Sequence, residues 1–313
     1  MPALKAGLVR KHRIYFKEHS MPVKPMRAEH ATDEQIEVLL KKFGYMLATP
    51  KLDGIRCSIQ GAVALSKTLL PIPNPFIQKM IGQDRFNGYD GELIVGAPNN
   101  LDAYHNTYGP VMRGYGEPDF KLYIFDDCLV SAPYKDRYPI VAVDSPHIEV
   151  LAATMITNMD ELAAYEKLTL DVGFEGVILR DPHAKYKQGK STALQGGSIK
   201  VKRFTDGEAI IEEVLELEHN TNEKKVNKLG RSQRSTHKAG KVPAGKAGVL
   251  VCRDIITGKE VKVGVGKERD RKRYWEHRLT CPGEIIKYKS FLHGVKNKPR
   301  HGTFLGPRHP YDM

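Results

Sequence analysis

The sequence is poor in cysteine and lacks the motifs that pair cysteines for metal binding or disulfide formation. Its four cysteines, Cys57, Cys128, Cys252 and Cys281, stand far apart, and no two form a CxxC motif. Neither a zinc site nor a disulfide framework is therefore indicated. This cysteine usage is typical of a reducing compartment, so we expect an intracellular protein.

Long apolar runs are also missing. No segment approaches the roughly 20 apolar residues that are needed to span a bilayer. The basic N-terminus, from Met1 to Ser20, has no apolar segment of the kind found in secretory signals. We therefore expect a soluble protein with no membrane partner.

Acidic residues are fewer than basic ones. The 313 residues include 49 Lys and Arg but only 37 Asp and Glu, which gives a formal net charge of +12. Such an excess favours a polyanionic partner, and it is equally compatible with a basic enzyme surface that binds nothing. The length is sufficient for two modest domains, each with its own core.

The pattern along the chain predicts an extension and two domains. Residues 1–21 form a basic extension without clear periodicity, and residues 22–203 mix helical and strand patterns into a predicted α+β domain. Residues 204–313 read as short strands with glycine turns, which predicts a small five-stranded β-barrel. A polar basic insertion at about 219–247 carries eight Lys or Arg and no acidic residue between 224 and 246. It is either a solvated disordered loop or a segment that grips phosphates.

Local signals predict individual elements. Thr32 and Gln35 form a capping-box pattern ahead of a helix at residues 33–43, and a second helix is predicted at Glu161–Leu168 behind a cap at Asp160. The run Pro71–Pro75 predicts an ordered turn or loop. Strands are predicted near Ile55–Ile59, Glu92–Val95, Leu122–Phe125, Val177–Leu179, Ala209–Val214, Val249–Arg253, Val261–Val265 and Glu284–Tyr288.

Lys51 is the first candidate for chemistry. It lies in the run Lys-Leu-Asp-Gly-Ile-Arg, in a loop that is predicted to precede a strand, where its side chain could point into a cleft. A lysine nucleophile needs a neutral amine, which burial or neighbouring cations favour. The pattern Lys-x-Asp-Gly is equally compatible with an ordinary surface turn.

Two glutamates and one aromatic residue are further candidates. Glu92 and Glu175 each stand beside a glycine at the start of an apolar strand, where carboxylate oxygens suit a hard cation such as Mg²⁺. Both could equally be solvated strand-entry residues. Phe125 lies in an apolar strand, so it either packs in the core or stacks on a purine.

Two groups of basic residues complete the candidates. Lys200 and Lys202 alternate with apolar neighbours, so they share one strand face, which is either a phosphate-binding face or a solvated one. Near the C-terminus, Arg300 and Arg308 could clamp a polyphosphate by bidentate contacts or belong to an exposed tail.

The order of these signals is more specific than any one of them. It resembles the motif order of the covalent nucleotidyltransferases, the superfamily of DNA ligases and capping enzymes. Over residues 22–310 the resemblance extends to the minimal ATP-dependent DNA ligases of viruses and bacteriophages, such as the chlorovirus enzyme. It rests on Lys51-x-Asp53-Gly-x-Arg56, Asp90-Gly-Glu92, Phe125, Glu175-Gly, Lys200-x-Lys202 and the terminal arginine segment, and also on Leu47–Lys51, Arg234–Val242, Val261–Gly266 and Arg271–Trp275.

The resemblance implies a fold, a reaction and a partner. The implied fold is a nucleotidyltransferase domain followed by an OB-fold domain, whose basic insertion acts as a latch. The implied reaction seals 3′-OH/5′-phosphate nicks in duplex DNA with ATP and Mg²⁺ or Mn²⁺, through a lysyl-AMP at Lys51 and a DNA-adenylate. The implied enzyme is a monomer that encircles DNA, in the cytoplasm of a bacterial or virus-infected cell, and serves DNA replication, repair or recombination.

The resemblance also assigns roles to single residues. Thr49, Arg56 and Glu92 would hold the nucleotide, Phe125 would stack on adenine, and Glu92 and Glu175 would support the metal. The α-phosphate contacts would be Lys200 and Lys202, and the pyrophosphate contacts Arg300 and Arg308. Asp53 would act at the nick, Lys67 and Lys190 would bind its 5′-phosphate, and Arg231, Arg234, Lys238 and Lys241 would form the latch.

The chain departs from the family pattern at a few positions. Lys67 and Lys190 stand where the relatives usually have arginine, and lysine keeps the charge but loses the planar fork. We therefore expect looser recognition of the nick phosphate. His301-Gly302 stands where the relatives often have Phe-Pro, in the segment of Arg300 and Arg308.

Alternative functions belong to other classes. One is an RNA ligase or a GTP-dependent capping-type enzyme, which the latch-like segment disfavours. Another is a non-catalytic OB-type nucleic-acid-binding protein, which the complete motif set disfavours. The absence of a tetracysteine zinc module favours ATP over NAD as the adenylate donor.

Overall fold

A computed structural model describes residues 21–138, 144–201, 205–228, 230, 232–291 and 300–308. Its helices are α1 Asp33–Phe43, α2 Pro75–Ile81, α3 Ala103–Met112, α4 Tyr134–Arg137, α5 Met159–Val172 and α6 Glu268–Glu276. The strands of the N-terminal part are β1 Glu29–His30, β2 Met46–Pro50, β3 Ile55–Gln60, β4 Val63–Ser66, β5 Tyr89–Val95, β6 Phe120–Asp127, β7 Ile148–Val150, β8 Thr154–Ile156, β9 Val177–Arg180 and β10 Ile199–Val201. Those of the C-terminal part are β11 Thr205–Asn220, β12 Lys224–Val226, β13 Ser232–Arg234, β14 Lys241–Asp254, β15 Glu260–Gly264, β16 Ile285–Phe291 and β17 Arg300–Pro307.

The N-terminal part contains two five-stranded sheets. The first has the order β1-β10-β9-β2-β8, and the second has the order β4-β3-β5-β6-β7. One core joins the first sheet to α1 and α5, and another joins the second sheet to α2 and α3. Burial of these apolar faces is what holds helices and sheets together. The predicted mixed α+β class is confirmed.

Local capping was predicted correctly for one helix and wrongly for another. At α1 the Thr32 side chain accepts from the Gln35 backbone N–H, and the Gln35 side chain accepts from the Thr32 backbone N–H, as a capping box requires. The cap of α5 is Asn158, whose side chain accepts from the Glu161 N–H at 2.9 Å. Asp160 lies inside the first turn instead, where its charge still complements the helix dipole.

The predicted Pro71–Pro75 loop ends one residue earlier than expected. Pro75 occupies the first position of α2, where its missing N–H costs nothing and its fixed φ suits the helix. Asn74 caps this helix by accepting from the N–H groups of Phe76 and Ile77. The rigid run therefore starts a helix rather than only turning the chain.

In the C-terminal part five strands pair in a closed ring. Their order is β11-β14-β15-β17-β16, and β17 returns to pair with both β15 and β16. The interior is apolar, and α6 covers it with the buried ring of Tyr274. The strands β11 and β14 continue their pairing as far as Asn220 and Lys241.

The basic insertion is shorter than predicted and it has structure. Residues 241–247 belong to β14, because the pairing of β11 with β14 continues to Asn220 and Lys241. Between these strands, β12 and β13 form a two-stranded hairpin. The Asn222 side chain donates to the carbonyl groups of Ser235 and His237. The described residues of the insertion therefore form an ordered arm.

Two further predictions concern regions at the limits of the described residues. The predicted domain boundary at 203/204 lies outside them, as do residues 1–20 of the predicted extension at residues 1–21. Among the residues that the structure describes, no helix is both long enough and apolar enough to cross a membrane.

Candidate active site

A cavity of about 280 Å³ lies between the two sheets of the N-terminal part. We call it the Lys51 cavity. The first sheet contributes residues of β2, β9 and β10 to its wall, and the second contributes residues of β3, β5 and β6. Seven of the predicted site residues line it, namely Thr49, Lys51, Arg56, Lys67, Glu92, Phe125 and Lys200. Residues that are up to 151 positions apart in the chain (Thr49 to Lys200) therefore share one site.

Strand alternation explains which side chains face the cavity. On β10, Ile199 and Val201 are buried in the core of the first sheet, whereas Lys200 between them lines the cavity. Ile178 on the neighbouring strand β9 faces the same way. Because successive side chains of a strand point to opposite faces, apolar packing on one face presents Lys200 on the other. Lys202 lies outside the described residues.

Lys51 is fixed by its backbone and paired through its side chain. It follows β2, donates its N–H to the Gly176 carbonyl at 2.8 Å, and accepts at its own carbonyl from the Glu175 N–H at 3.2 Å. The Lys51 Nζ forms an ion pair with Glu175 Oε2, and the two side chains are 24% and 10% exposed. This pair requires the ammonium form of Lys51, whereas attack on a phosphate requires the neutral amine.

Glycines permit the close approach of the chain segments around Lys51. A Cβ at Gly54 would lie 2.3 Å from the Leu93 carbonyl oxygen, so a larger residue would push the loop away from β5. Gly176 has a φ of +150°, a conformation that L side chains rarely adopt. The two glycines beside Lys51 and Glu175 are therefore required by the geometry of the site.

Arg56 is held by a buried network. It makes a bidentate contact with Asp90, with 2.6 Å from Nε to Oδ1 and 2.6 Å from Nη2 to Oδ2. The Tyr186 hydroxyl donates to Asp90 Oδ2 at 2.6 Å and accepts from the Met26 N–H at 2.9 Å. Arg56 Nη2 also donates to the Met26 carbonyl at 3.2 Å. Although burial opposes the charge, Asp90 raises the pKa of Arg56, so the guanidinium stays charged.

Asp90 and Tyr186 were not among the predicted site residues. A signal for Asp90 exists in the sequence, because Asp90 and Glu92 are two residues apart on β5 and alternation places them on one face. Tyr186 has no comparable signal, because it lies in the loop after β9 and meets Asp90 across 96 positions.

Glu92 lines the Lys51 cavity, and Glu175 pairs with Lys51. Burial raises the pKa of Glu92 to about 7, against the opposing charges of Arg56 and Lys51. Among the described residues, no cluster of three or more His, Cys, Asp or Glu forms a complete protein-only metal site. One or two carboxylates together with substrate phosphates are the usual Mg²⁺ ligands in nucleotide sites, so this donor set fits such an ion.

Phe125 lies at the cavity wall in contact with two arginines. The centre of its ring is 4.5 Å from Cζ of Arg56 and 4.7 Å from Cζ of Arg180. Arg180 also donates to the Thr49 hydroxyl at 3.0 Å. Guanidinium groups at this distance stabilise an aromatic face electrostatically. Sequence analysis missed Arg180, which follows the apolar strand residues of β9.

The two nick-phosphate candidates lie in different surroundings. Lys67, in the turn after β4, lines the Lys51 cavity. Lys190 forms an ion pair with Glu29 on β1, and its side chain is 65% exposed. The structure therefore places one lysine at the cavity and the other beside the first strand.

The predicted residues of the C-terminal part are engaged locally. Arg308 forms an ion pair with Glu208 at 2.6 Å, on the C-terminal ring itself. Arg234 donates to the Asn222 carbonyl, and Lys241 pairs with Glu218 at 3.2 Å. Lys238 is exposed in a short 3-10 turn. Arg231 and the side chain of Arg300 lie outside the described residues.

The basic insertion touches the N-terminal part near Lys67. A Cβ at Gly230 would lie 3.0 Å from the Thr68 hydroxyl and 2.9 Å from Leu70 Cδ1. Lys228 Nζ lies 3.5 Å from the Met112 carbonyl oxygen. The arm between β11 and β14 therefore reaches the turn that carries Lys67.

Comparisons with known proteins give structural matches. The chain is similar to the crystal structure of Chlorella virus DNA ligase-adenylate, with 30% identity, a TM-score of 0.50, and coverage of 92% of this chain and 98% of that one. It is also similar to a structure from an analysis of Lig E DNA ligases, with 20% identity, a TM-score of 0.63, and coverage of 92% and 100%. At 20% identity, the second match shows a shared fold only. No protein-family model and no curated protein sequence matches the chain.

Proposed function

The chain belongs to the minimal ATP-dependent DNA ligases, the family of the Chlorella virus enzyme, and we propose that it seals nicks in duplex DNA with ATP as the adenylate donor. One observation carries the proposal. The Lys51 cavity is lined by Lys51, Glu92, the aromatic ring of Phe125 and the cations Lys67 and Lys200, and Glu175 pairs with Lys51. Each of these groups has a part in nucleotidyl transfer.

In the first step Lys51 Nζ attacks the α-phosphorus of ATP. A nitrogen–phosphorus bond forms, the bond from the α-phosphorus to the bridging oxygen breaks, and its electron pair leaves with pyrophosphate. Lys51 must first lose a proton, which means that its ion pair with Glu175 has to loosen. Lys200 would neutralise negative charge that develops on the α-phosphate, together with Lys202.

The nucleotide would bind against the second sheet. Arg56 is already oriented by Asp90, so it can reach the ribose without the entropy cost of ordering a free side chain. Glu92 would accept from a ribose hydroxyl, and Phe125 would lie against the adenine. Glu92 and Glu175 would hold Mg²⁺ or Mn²⁺ together with the phosphates, and such an ion supplies charge neutralisation during phosphoryl transfer.

The later steps take place on DNA. An oxygen of the 5′-phosphate attacks the adenylate phosphorus, and the bond to Lys51 breaks, which regenerates the amine. The 3′-hydroxyl then attacks the 5′-phosphorus, loses its proton, and AMP leaves. Lys67 and Lys190 would hold the 5′-phosphate, and Asp53 would act at the nick during these steps.

The C-terminal part would grip the duplex. We interpret its five-stranded ring as an OB-fold and its basic insertion as a latch, with Arg231, Arg234, Lys238 and Lys241 on DNA phosphates. The protein would act as a monomer around the nick. Arg308 pairs with Glu208, so a role for Arg300 and Arg308 at pyrophosphate requires a movement of the C-terminal part toward the cavity.

Covalent labelling tests the first step. Wild type, Lys51→Ala and Lys41→Ala are incubated with ATP labelled at the α-phosphate, with and without Mg²⁺, and the protein is denatured before counting. Lys41 is a control because it is an exposed lysine on α1 that pairs with Glu37. We expect a label on wild type and Lys41→Ala but none on Lys51→Ala. No label on wild type would refute the proposal, and a label from GTP alone would indicate a capping-type enzyme.

Sealing tests the substrate. The labelled enzyme is offered duplexes with a 5′-phosphorylated nick in which the 3′-hydroxyl strand is DNA or RNA. We expect the DNA nick to be sealed with release of AMP. Sealing only of the nick whose 3′-hydroxyl strand is RNA would assign the chain to the RNA ligases.

A further inference from the structure

The first strand places a carboxylate beside two lysines. β1 pairs in parallel with β10, with Glu29 opposite Ile199 and His30 opposite Lys200. The Glu29 N–H donates to the Ser198 carbonyl at 3.1 Å. Two residues earlier, Arg27 donates its N–H to the Gly189 carbonyl at 2.7 Å and accepts from the Ser191 N–H at 2.9 Å. Backbone bonds therefore fix Glu29 between the loop that carries Lys190 and the strand that carries Lys200.

The Glu29 carboxylate is engaged by positive groups. It forms an ion pair with Lys190 and accepts from the His30 N–H at 3.0 Å. The Lys190 contact, the His30 contact and the charge of Lys200 hold its pKa below the ordinary value. The carboxylate is therefore ionised at neutral pH, and its ion-pair partner Lys190 is one of the lysines to which the proposed function assigns a phosphate.

We propose that Glu29 is an internal counter-ion for Lys190, and that the 5′-phosphate of the nick must replace it in order to bind. This inference rests on the proposed function, which assigns Lys190 to that phosphate. A lysine ammonium is a compact charge with three donors, so it cannot neutralise a carboxylate and a phosphate as fully as either one alone. The two anions also repel each other. Glu29 thereby lowers the affinity of the site for a 5′-phosphorylated end.

The exchange is favourable because the ion pair is accessible. Lys190 is 65% exposed and Glu29 is 26% exposed. Exposed ion pairs are weak, because water screens them and long side chains lose entropy when they form. A terminal phosphate carries about −1.5 to −2 charges near neutral pH and offers three acceptor oxygens, so it is the stronger partner. A 5′-hydroxyl end offers neither charge nor acceptors of this kind.

Binding of nicked duplexes tests the proposal. Wild type, Glu29→Gln, Lys190→Ala and the double variant are freed of adenylate with pyrophosphate, and fluorescence anisotropy gives Kd in EDTA for nicks with a 5′-phosphate or a 5′-hydroxyl. Glu149→Gln is the matched control, since it removes one charge from an exposed pair with Lys121 on the second sheet. Thermal unfolding confirms that each variant is folded.

We expect Glu29→Gln to tighten binding of the 5′-phosphorylated nick roughly threefold to fivefold, as loss of a weak competing pair predicts. The 5′-hydroxyl nick should bind as it does to wild type, and Glu149→Gln should change neither. In the Lys190→Ala background the Glu29→Gln effect should vanish, because the ammonium group for which Glu29 and the phosphate compete is absent.

Other outcomes overturn the inference. Equal tightening for both nicks would mean a general charge effect. Unchanged or weaker binding would mean that Glu29 only positions Lys190. If wild type seals nicks and prefers the 5′-phosphate, but Glu29→Gln leaves the Kd for the phosphorylated nick unchanged, only this inference is refuted. A wild type that does not label or seal refutes the proposed function itself.

Discussion

The hydroxyl of Tyr186 donates to the buried carboxylate of Asp90 at 2.6 Å, and the same carboxylate receives two hydrogen bonds from Arg56. A residue of the loop after β9 thus supports an arginine of β3 through an aspartate of β5. Asp90 is fully buried and has no access to solvent, so these protein donors supply the hydrogen bonds that its carboxylate needs. The network aims Arg56 into the Lys51 cavity.

Tyr186→Phe tests this network. The variant removes a donor to Asp90 and an acceptor for the Met26 N–H, and a lost partner at a buried polar group costs about 1–3 kcal/mol. We expect the free energy of unfolding in urea to fall by that amount, and the apparent Kd for ATP in the labelling reaction to rise. Tyr104→Phe, on the outer helix α3, is the control. Unchanged ATP affinity would show that Tyr186 does not position Arg56.

Glu175→Gln tests the partner of the nucleophile. The variant removes the carboxylate that pairs with Lys51 and supports the proposed metal site. We expect the initial rate of covalent labelling to fall on the order of 100-fold, the size typical for loss of one preorganised electrostatic group. The matched control is Glu37→Gln, a glutamate paired with a lysine on the outer face of α1. Labelling at the wild-type rate would contradict the assignment of Glu175 to the site.

Glu92→Gln tests the raised pKa of Glu92. Burial raises this pKa from 4.5 to about 7. The Glu92 carboxyl therefore loses its proton at a lower pH in the unfolded chain than in the folded protein. Wild type therefore loses stability relative to Glu92→Gln as pH rises through this window, and the difference stays constant above it. Thermal unfolding of both proteins at half-unit steps from pH 4.5 to 8.5 measures the difference in Tm. A difference that does not grow with pH would mean that Glu92 ionises normally.

Lys67→Arg and Lys190→Arg test the two departures from the family pattern. Arginine restores a planar fork that can contact a phosphate with two parallel hydrogen bonds. We expect each variant to bind a 5′-phosphorylated nick more tightly and a 5′-hydroxyl nick as before. The measurement is Kd by anisotropy in EDTA. Unchanged binding of the phosphorylated nick in both variants would count against a role of these lysines at the 5′-phosphate.

A triple alanine variant at Arg234, Lys238 and Lys241 tests the basic insertion. If all three contact DNA phosphates, the slope of log K for duplex binding against log salt concentration should be roughly three units less negative than in wild type. Affinity is measured between 50 and about 300 mM KCl. The control is a double alanine variant at Lys41 and Lys167, which are exposed helix lysines in ion pairs. An unchanged salt slope would mean that these three residues do not contact DNA phosphates.

Several features of the fold were predictable because their causes are local. The capping box of α1 involves Thr32 and Gln35, three residues apart, and strand alternation alone places Lys200 on the face opposite Ile199. The cap of α5 was assigned to Asp160 instead of Asn158 because two capping residues stand close together, and only the backbone shows which one precedes the first turn.

By itself the sequence determined which family the chain resembles, since the order of charged groups from Lys51 to Lys200 predicts what a nucleotide site would contain. Tertiary structure decided how those groups meet. The pairs Arg56–Asp90, Lys51–Glu175 and Glu29–Lys190 join residues 34, 124 and 161 positions apart. Such contacts depend on how two sheets and a first strand come together, and that arrangement follows from the burial of apolar faces rather than from any local pattern. Whether a lysine faces a phosphate or an internal carboxylate is therefore a property of the fold.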